Sequence, residues 1–151
     1  MSTFLIKNNL SQTMEIRLFF LDDDLIQNEI FNEYLTMFDI PYDAKFTESG
    51  YKAVEFLKSC SKEKFPQVFF VDLMMPQMNG WEFLTALETI IKEKSVEPSI
   101  YLLSSSVSNV DKEKAKNYTI LKSFITKPLP VKNFKKLLQD EYSLRYASNE
   151  Q

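Results

Sequence analysis

The stretch Val68-Phe69-Phe70-Val71-Asp72-Leu73-Met74-Met75-Pro76-Gln77-Met78-Asn79-Gly80 decides how this chain folds. Its first four residues are apolar without alternation, the pattern of a strand buried on both faces. The run stops at a single carboxylate, Asp72, and the turn formers Pro76 and Asn79-Gly80 follow. Three other polar clusters follow apolar runs in the same way. Asp22-Asp23-Asp24 comes after Ile16 to Leu21, Ser104-Ser105-Ser106 after Ile100 to Leu103, and Lys127-Pro128 after Phe124-Ile125.

Side by side in one parallel sheet, those four runs bring their carboxyl ends to one crevice, where open α/β sheets place ligands. An acid cluster, a second acid, a hydroxyl and an ammonium meeting there suit a divalent cation and a phosphoryl group. From Glu15 onward, short β-type runs alternate with amphipathic helical patterns, the sign of an α/β domain with helices on both faces of its sheet. Five strands are expected at 16–21, 42–46, 67–71, 99–103 and 122–125, with five helices between and after them. The first helix, 25–38, places Ile26, Ile30, Tyr34 and Phe38 four apart as its inward column. The second follows Gly50 and turns Ala53, Val54 and Leu57 inward, and the third opens at Asn79-Gly80 with Phe83, Leu84, Leu87, Ile90 and Ile91. A fourth, short and Lys-rich, lies near 108–117, and the fifth starts at Val131 and carries Phe134, Leu137 and Leu138. Residues 1–14 are polar and aperiodic and read as a flexible N-terminal extension or a start-site artefact, 15–142 as one domain, and 143–151 as a polar tail.

Composition agrees with one folded unit, since 44% of the 151 residues are hydrophobic and 14% aromatic. A net charge of −3 gives no electrostatic footprint for DNA or an anionic membrane. Cys60 stands alone, which removes disulfide frameworks and cysteine-based metal sites. The chain has no histidine, so Ser-His-Asp and Cys-His catalysis and His-ligated zinc are all absent. Any metal is expected to be hard and oxygen-bound. No apolar run approaches the roughly 18 residues of a membrane span, and a cytoplasmic location is expected.

Three adjacent aspartates repel one another unless a cation sits among them. Asp24 reads as the N-cap of the next helix, which leaves Asp22 and Asp23 as ligands for Mg²⁺. Asp72 can attack phosphorus and form an aspartyl phosphate, and a neighbouring cation eases the approach of two anions. Ser104 can donate a hydrogen bond to one phosphoryl oxygen, and Lys127 can supply positive charge to another.

The segments Leu21-Asp22-Asp23-Asp24, Val71-Asp72 through Asn79-Gly80, Leu103-Ser104-Ser105 and Thr126-Lys127-Pro128 resemble the signature set of receiver domains of two-component response regulators. The resemblance covers about residues 15 to 142. It implies a flavodoxin-like, doubly wound three-layer sandwich whose five-stranded parallel sheet has the order 2-1-3-4-5. It implies phosphorylation of Asp72 by a sensor histidine kinase or a histidine phosphotransfer protein. By motif, Asp22, Asp23 and Asp72 hold Mg²⁺ with the backbone carbonyl of Met74, Ser104 is the switch hydroxyl, and the Lys127-Pro128 peptide is cis. Ser104 stands where threonine is also frequent. Phe124 takes the aromatic switch position often held by tyrosine, so its inward rotation would be driven by packing without a phenolic hydrogen bond. Met74 and Ser106 occupy positions that vary the lifetime of the acyl phosphate by controlling access of water.

On this reading the chain is a stand-alone phosphoacceptor, not an enzyme, whose output is a contact with an unknown downstream protein. Leu25, Ile26, Leu129 and Pro130 flank the site and either dock the kinase or simply pack the loops. Lys112, Lys114 and Lys116 read as a solvated face. A homodimer through the helix 4 to helix 5 face stays open, since helix 4 carries no apolar stripe that would decide it. Two rivals compete. A haloacid-dehalogenase-type phosphohydrolase needs a second aspartate two residues after the nucleophile, where this chain has Met74. A receiver-like binding module independent of phosphorylation would normally have lost an acid, the hydroxyl or the lysine, and this chain keeps all of them.

Overall fold

A computed structural model describes residues 14–146. Among these residues the strands are β1 (Ile16–Leu21), β2 (Tyr42–Thr47), β3 (Val68–Asp72), β4 (Ser99–Ser104) and β5 (Leu121–Thr126). They form one parallel sheet in the order β2-β1-β3-β4-β5. The helices are α1 (Leu25–Thr36), α2 (Gly50–Ser59), α3 (Gly80–Lys94), α4 (Asn109–Ala115) and α5 (Val131–Tyr146). The expected architecture is therefore present, a doubly wound flavodoxin-like sandwich.

The helices divide between the two faces because successive strand side chains point to opposite sides. Phe19, Leu21, Phe69, Val71, Ile100 and Leu102 pack with Ala53 and Leu57 of α2 and Phe83, Leu84, Leu87 and Ile90 of α3. Leu18, Phe20, Val68, Phe70, Tyr101 and Leu103 pack on the other side with Phe31 and Leu35 of α1 and Phe134 and Leu138 of α5. Strands enclosed on both sides need the unbroken apolar runs seen in the sequence.

Aromatic rings fix the strand register. Phe20 lies directly opposite Phe46 and Phe70, and Phe70 opposite Tyr101. The rings stack along that row with centroids 4.7, 5.0 and 5.5 Å apart. A slip of one residue would turn every one of these rings to the other face and break the row. The same register brings Asp22, Asp72, Ser104 and Lys127 to one end of the sheet.

Two expectations need correction. In α1 the buried residues are Asn28, Phe31 and Leu35, while Ile26 is 71% exposed and Ile30 37%. A strict four-residue column drifts around a 3.6-residue helix, so the three-and-four row centred on Phe31 wins the core. Tyr34 and Phe38 flank that row, and both rings reach Phe134. Of the two readings offered for Leu129, packing holds, since it is buried, at 8% exposed, in the core beneath α1 and α5. The last helix continues to Tyr146, beyond the expected limit at 142, because Arg145 donates to the Gln67 carbonyl at 2.8 Å and Tyr146 to the Glu15 carbonyl at 3.0 Å. Residues 1–13 of the expected extension and 147–151 of the tail lie outside the described residues.

Gly80 positions the chain between β3 and α3. Its N–H donates to the Leu73 carbonyl at 2.8 Å, and a Cβ there would sit 2.8 Å from Leu73 Cα and 2.9 Å from the Asp72 carbonyl oxygen. Both obstacles are backbone and cannot swing aside. Gly80→Ala is expected to cost about 1–3 kcal/mol, because the overpacking exceeds the gain in helix propensity. A urea titration with unchanged slope and a lower midpoint would register it. An unchanged midpoint would show that the loop yields freely.

Candidate functional site: the carboxylate cluster at the sheet end

Asp22 and Asp72 are buried where β1 and β3 end, and Asp23 is exposed beside them. The three carboxylates each offer an oxygen within 4.8 Å of the others, an arrangement able to hold a metal ion. Asp24 turns away and caps α1, accepting from the N–H of Ile26 at 2.9 Å, as the sequence suggested. Asp22 is oriented twice. Its Oδ1 accepts from the N–H of Asp24 at 2.9 Å, and its backbone carbonyl accepts from Asn28 Nδ2 at 3.1 Å.

Lys127 arrives from the end of β5. Its Nζ lies 2.8 Å from Asp22 Oδ2 and 3.1 Å from Asp72 Oδ1, so one ammonium bridges both buried acids. The N–H of Lys127 donates to the Ser104 carbonyl at 2.8 Å, and the Lys127-Pro128 peptide is cis, as the motif implied. Burial alone would lower the Lys127 pKa, but its bonds and charge pairing with Asp22 and Asp72 raise it, which keeps it cationic. Burial and the neighbouring charge of Asp22 push Asp72 up to about 6, against the opposing pull of Lys127 and the Met74 N–H.

A carboxylate destabilised by a second carboxylate calls for more positive charge than one lysine supplies. Hard oxygen donors at this spacing fit Mg²⁺. Protonation of Asp72 competes with a cation for the same oxygens. Mg²⁺ affinity is therefore expected to fall about tenfold per pH unit below about pH 6 and to level off above it. Calorimetric titrations at pH 5, 6 and 7.5 check this, and an affinity flat across that range contradicts it.

The remaining residues sit at the margin. Met74 follows Asp72 in the loop, its N–H on the Asp72 carboxylate and its side chain 69% exposed. Ser104 is fully buried, and its hydroxyl donates to the Ser106 carbonyl at 2.8 Å while accepting from the Ser106 N–H at 3.3 Å. The Ser104 hydroxyl is thus occupied within its own turn. Phe124, half-buried on β5, meets Trp81 edge-on with ring centroids 5.9 Å apart. Asn28 escaped the sequence reading, although an amide in line with Phe31 and Leu35 on an inward face is the kind of signal that could have revealed it.

A family model described as the response regulator receiver domain matches residues 18–139. The chain belongs to the response regulator receiver domain family. Receiver structures of similar fold include a two-component response regulator from Cytophaga hutchinsonii, 24% identical with a TM-score of 0.71, matched over 84% of this chain and 97% of that one. The chemotaxis protein CheY4 of Vibrio cholerae is 21% identical with a TM-score of 0.67, over 83% and 98%. The receiver domain of the sensor histidine kinase PA1611 from Pseudomonas aeruginosa is 14% identical with a TM-score of 0.69, over 85% and 98%; its active-site cleft coordinates magnesium. Among curated proteins no relative matches. This receiver domain supports a place in two-component signalling, and among its described residues no helix is long and apolar enough to cross a membrane.

Proposed function

We propose that this chain is a response regulator receiver that accepts a phosphoryl group on Asp72 in a Mg²⁺-dependent way and switches protein–protein contacts. The observation that carries the reading is the Lys127 ammonium bridging Asp22 and Asp72, beside a carboxylate cluster tight enough for a cation. The donor is a phosphohistidine on a sensor histidine kinase or a histidine phosphotransfer protein. An oxygen of Asp72 attacks phosphorus in line, the P–O bond forms as the P–N bond breaks, and the imidazole leaves on the partner. Asp22, Asp23, Asp72 and the Met74 carbonyl would hold Mg²⁺, which when bound supplies positive charge between the two anions. Lys127 neutralises a phosphoryl oxygen. Ser104 gives up the Ser106 carbonyl to donate to another, and Phe124 follows into the space it vacates.

Leu25 is 65% exposed and Ile26 71%, and Pro130 is exposed too; these offer the donor protein an apolar rim beside the site. The chain turns over no substrate of its own, acts in the cytoplasm, and reads out through a downstream protein rather than DNA. Intact mass after incubation with Mg²⁺ and acetyl phosphate tests the acceptor site. One labile phosphoryl group is expected, and none when a chelator is present during the incubation. No gain at saturating Mg²⁺ would favour a binding module independent of phosphorylation.

A further inference from the structure

Asp22 is held at every polar atom it has. Its N–H donates to the Thr47 carbonyl at 3.1 Å, its Oδ1 accepts from the Asp24 N–H at 2.9 Å, and its Oδ2 accepts from Lys127 at 2.8 Å. The backbone carbonyl is the hardest of the four to serve, because Asp22 lies one residue past the point where the ladders to β2 and β3 stop. A buried carbonyl left there without a donor would destabilise the loop. Asn28, one turn into α1, supplies the donor from Nδ2 at 3.1 Å.

This arrangement leaves Asn28 itself poorly served. The residue is 7% exposed, in line with Phe31 and Leu35, and its Oδ1 has no hydrogen-bond partner among the described residues. A buried amide oxygen without a donor destabilises a fold, and an apolar side chain of similar shape carries no such penalty. Asn28 also borders a cavity of about 260 Å³ with Glu29, Asn32 and Glu48 in its wall, where an amide with no other task would meet polar company. Its Nδ2 stays on the Asp22 carbonyl instead. What benefits is the backbone of the loop that carries Asp22 and Asp23.

We infer that Asn28 is a positioning residue for the metal site: by pinning the Asp22 carbonyl it fixes the direction of the Asp22 and Asp23 carboxylates, while adding nothing to the stability of the fold. The inference rests on the Mg²⁺ binding proposed above. Asn28 acts through the backbone, one step behind the carboxylates. Removing a partner that orients a metal ligand weakens metal affinity by about 10- to 100-fold.

The test compares Mg²⁺ affinity, by calorimetric titration with MgCl₂ at pH 7.5, with the urea midpoint measured in chelator, where bound metal adds no stability. Asn28→Leu repeats the branched shape of asparagine in apolar atoms and removes the donor and the unpaired oxygen together. It is expected to weaken Mg²⁺ binding at least about tenfold, with a urea midpoint equal to or above that of wild type. Leu35→Val, on the same face of α1, is expected to lower the midpoint and leave Mg²⁺ affinity unchanged. A merely structural Asn28 would move both readouts together. The inference is overturned if Asn28→Leu binds Mg²⁺ as wild type does, if its midpoint falls below that of Leu35→Val, or if Leu35→Val weakens Mg²⁺ binding equally. If wild type itself binds no Mg²⁺, the metal-dependent function fails and this inference fails with it; a wild type that binds, beside an Asn28→Leu that binds equally, sinks the inference alone.

Discussion

Asp72→Asn is expected to abolish phosphoryl uptake, lowering the rate from acetyl phosphate by at least about a thousandfold, the scale of nucleophile removal. The amide keeps the shape of the carboxylate and can still accept from Lys127, so the fold is retained. It has no anionic oxygen to attack phosphorus. The substitution also removes a charge that burial and Asp22 disfavour, so the variant is expected to be slightly more stable above pH 6. The sign follows from linkage. Asp72 has its pKa raised from 3.8 to about 6, so between those values the native state binds more protons than the unfolded chain, and ionisation on raising the pH costs stability. A variant that gained the same labile phosphoryl mass as wild type would move the acceptor elsewhere. One that unfolded would show that the Asp72–Lys127 pair supports the fold.

The largest effect on stability is expected at the opposite end of the sheet. Glu141 on α5 is 1% exposed, and its carboxylate accepts from Ser99 Oγ at 2.8 Å and Lys122 Nζ at 2.7 Å, and also from the Tyr101 hydroxyl and Arg145 Nη1. Burial would raise its pKa, but the bonds from Lys122, Tyr101, Arg145 and Ser99 outweigh it and hold Glu141 at about 2. Burial and the bond to Glu141 push the Tyr101 hydroxyl well above its ordinary range, so it remains a donor. Glu141→Gln is expected to cost about 3 kcal/mol at pH 7, because Arg145 loses its buried counter-charge while half-exposed Lys122 can return to water. Glu141 has a lowered pKa, so its contribution is present above about 4.5 and is lost as the pH falls toward 2. The gap between wild type and Glu141→Gln should therefore narrow between those values. Urea titrations at pH 7 and pH 3 test it. A loss below about 1 kcal/mol, or a gap that ignores pH, would make the cluster an ordinary surface pair.

The sequence revealed the site more fully than the helix faces, for physical reasons. Asp22, Asp72 and Lys127 were legible because each ends a strand run, and a parallel sheet has only one carboxyl end on which to gather them. Asp24 was legible as a cap because the local hydrogen bond depends only on its neighbours. Which side of α1 enters the core was not, since Phe20, Phe70 and Phe134 decide it from three other elements. Leu129 stayed open between docking and packing for the same reason: a leucine after a proline turn looks exposed until α1 and α5 close over it. Glu141 stands in line with Phe134 and Leu138 on the buried side of α5, where periodicity alone expects an apolar residue. An acid in that line indicates a partner but does not name it. Ser99, Tyr101 and Lys122 are supplied by strands distant in sequence.

Strand β4 runs from Ser99, bound to Glu141, to Ser104 beside the carboxylates. Its six residues separate those ends by roughly 17 Å at about 3.3 Å per residue, about two screening lengths in physiological salt. Changes around Ser99 and changes around Ser104 should add without coupling, within about 0.5 kcal/mol. Robustness at one pole of this strand can therefore be retuned while the carboxylate site at the other stays intact.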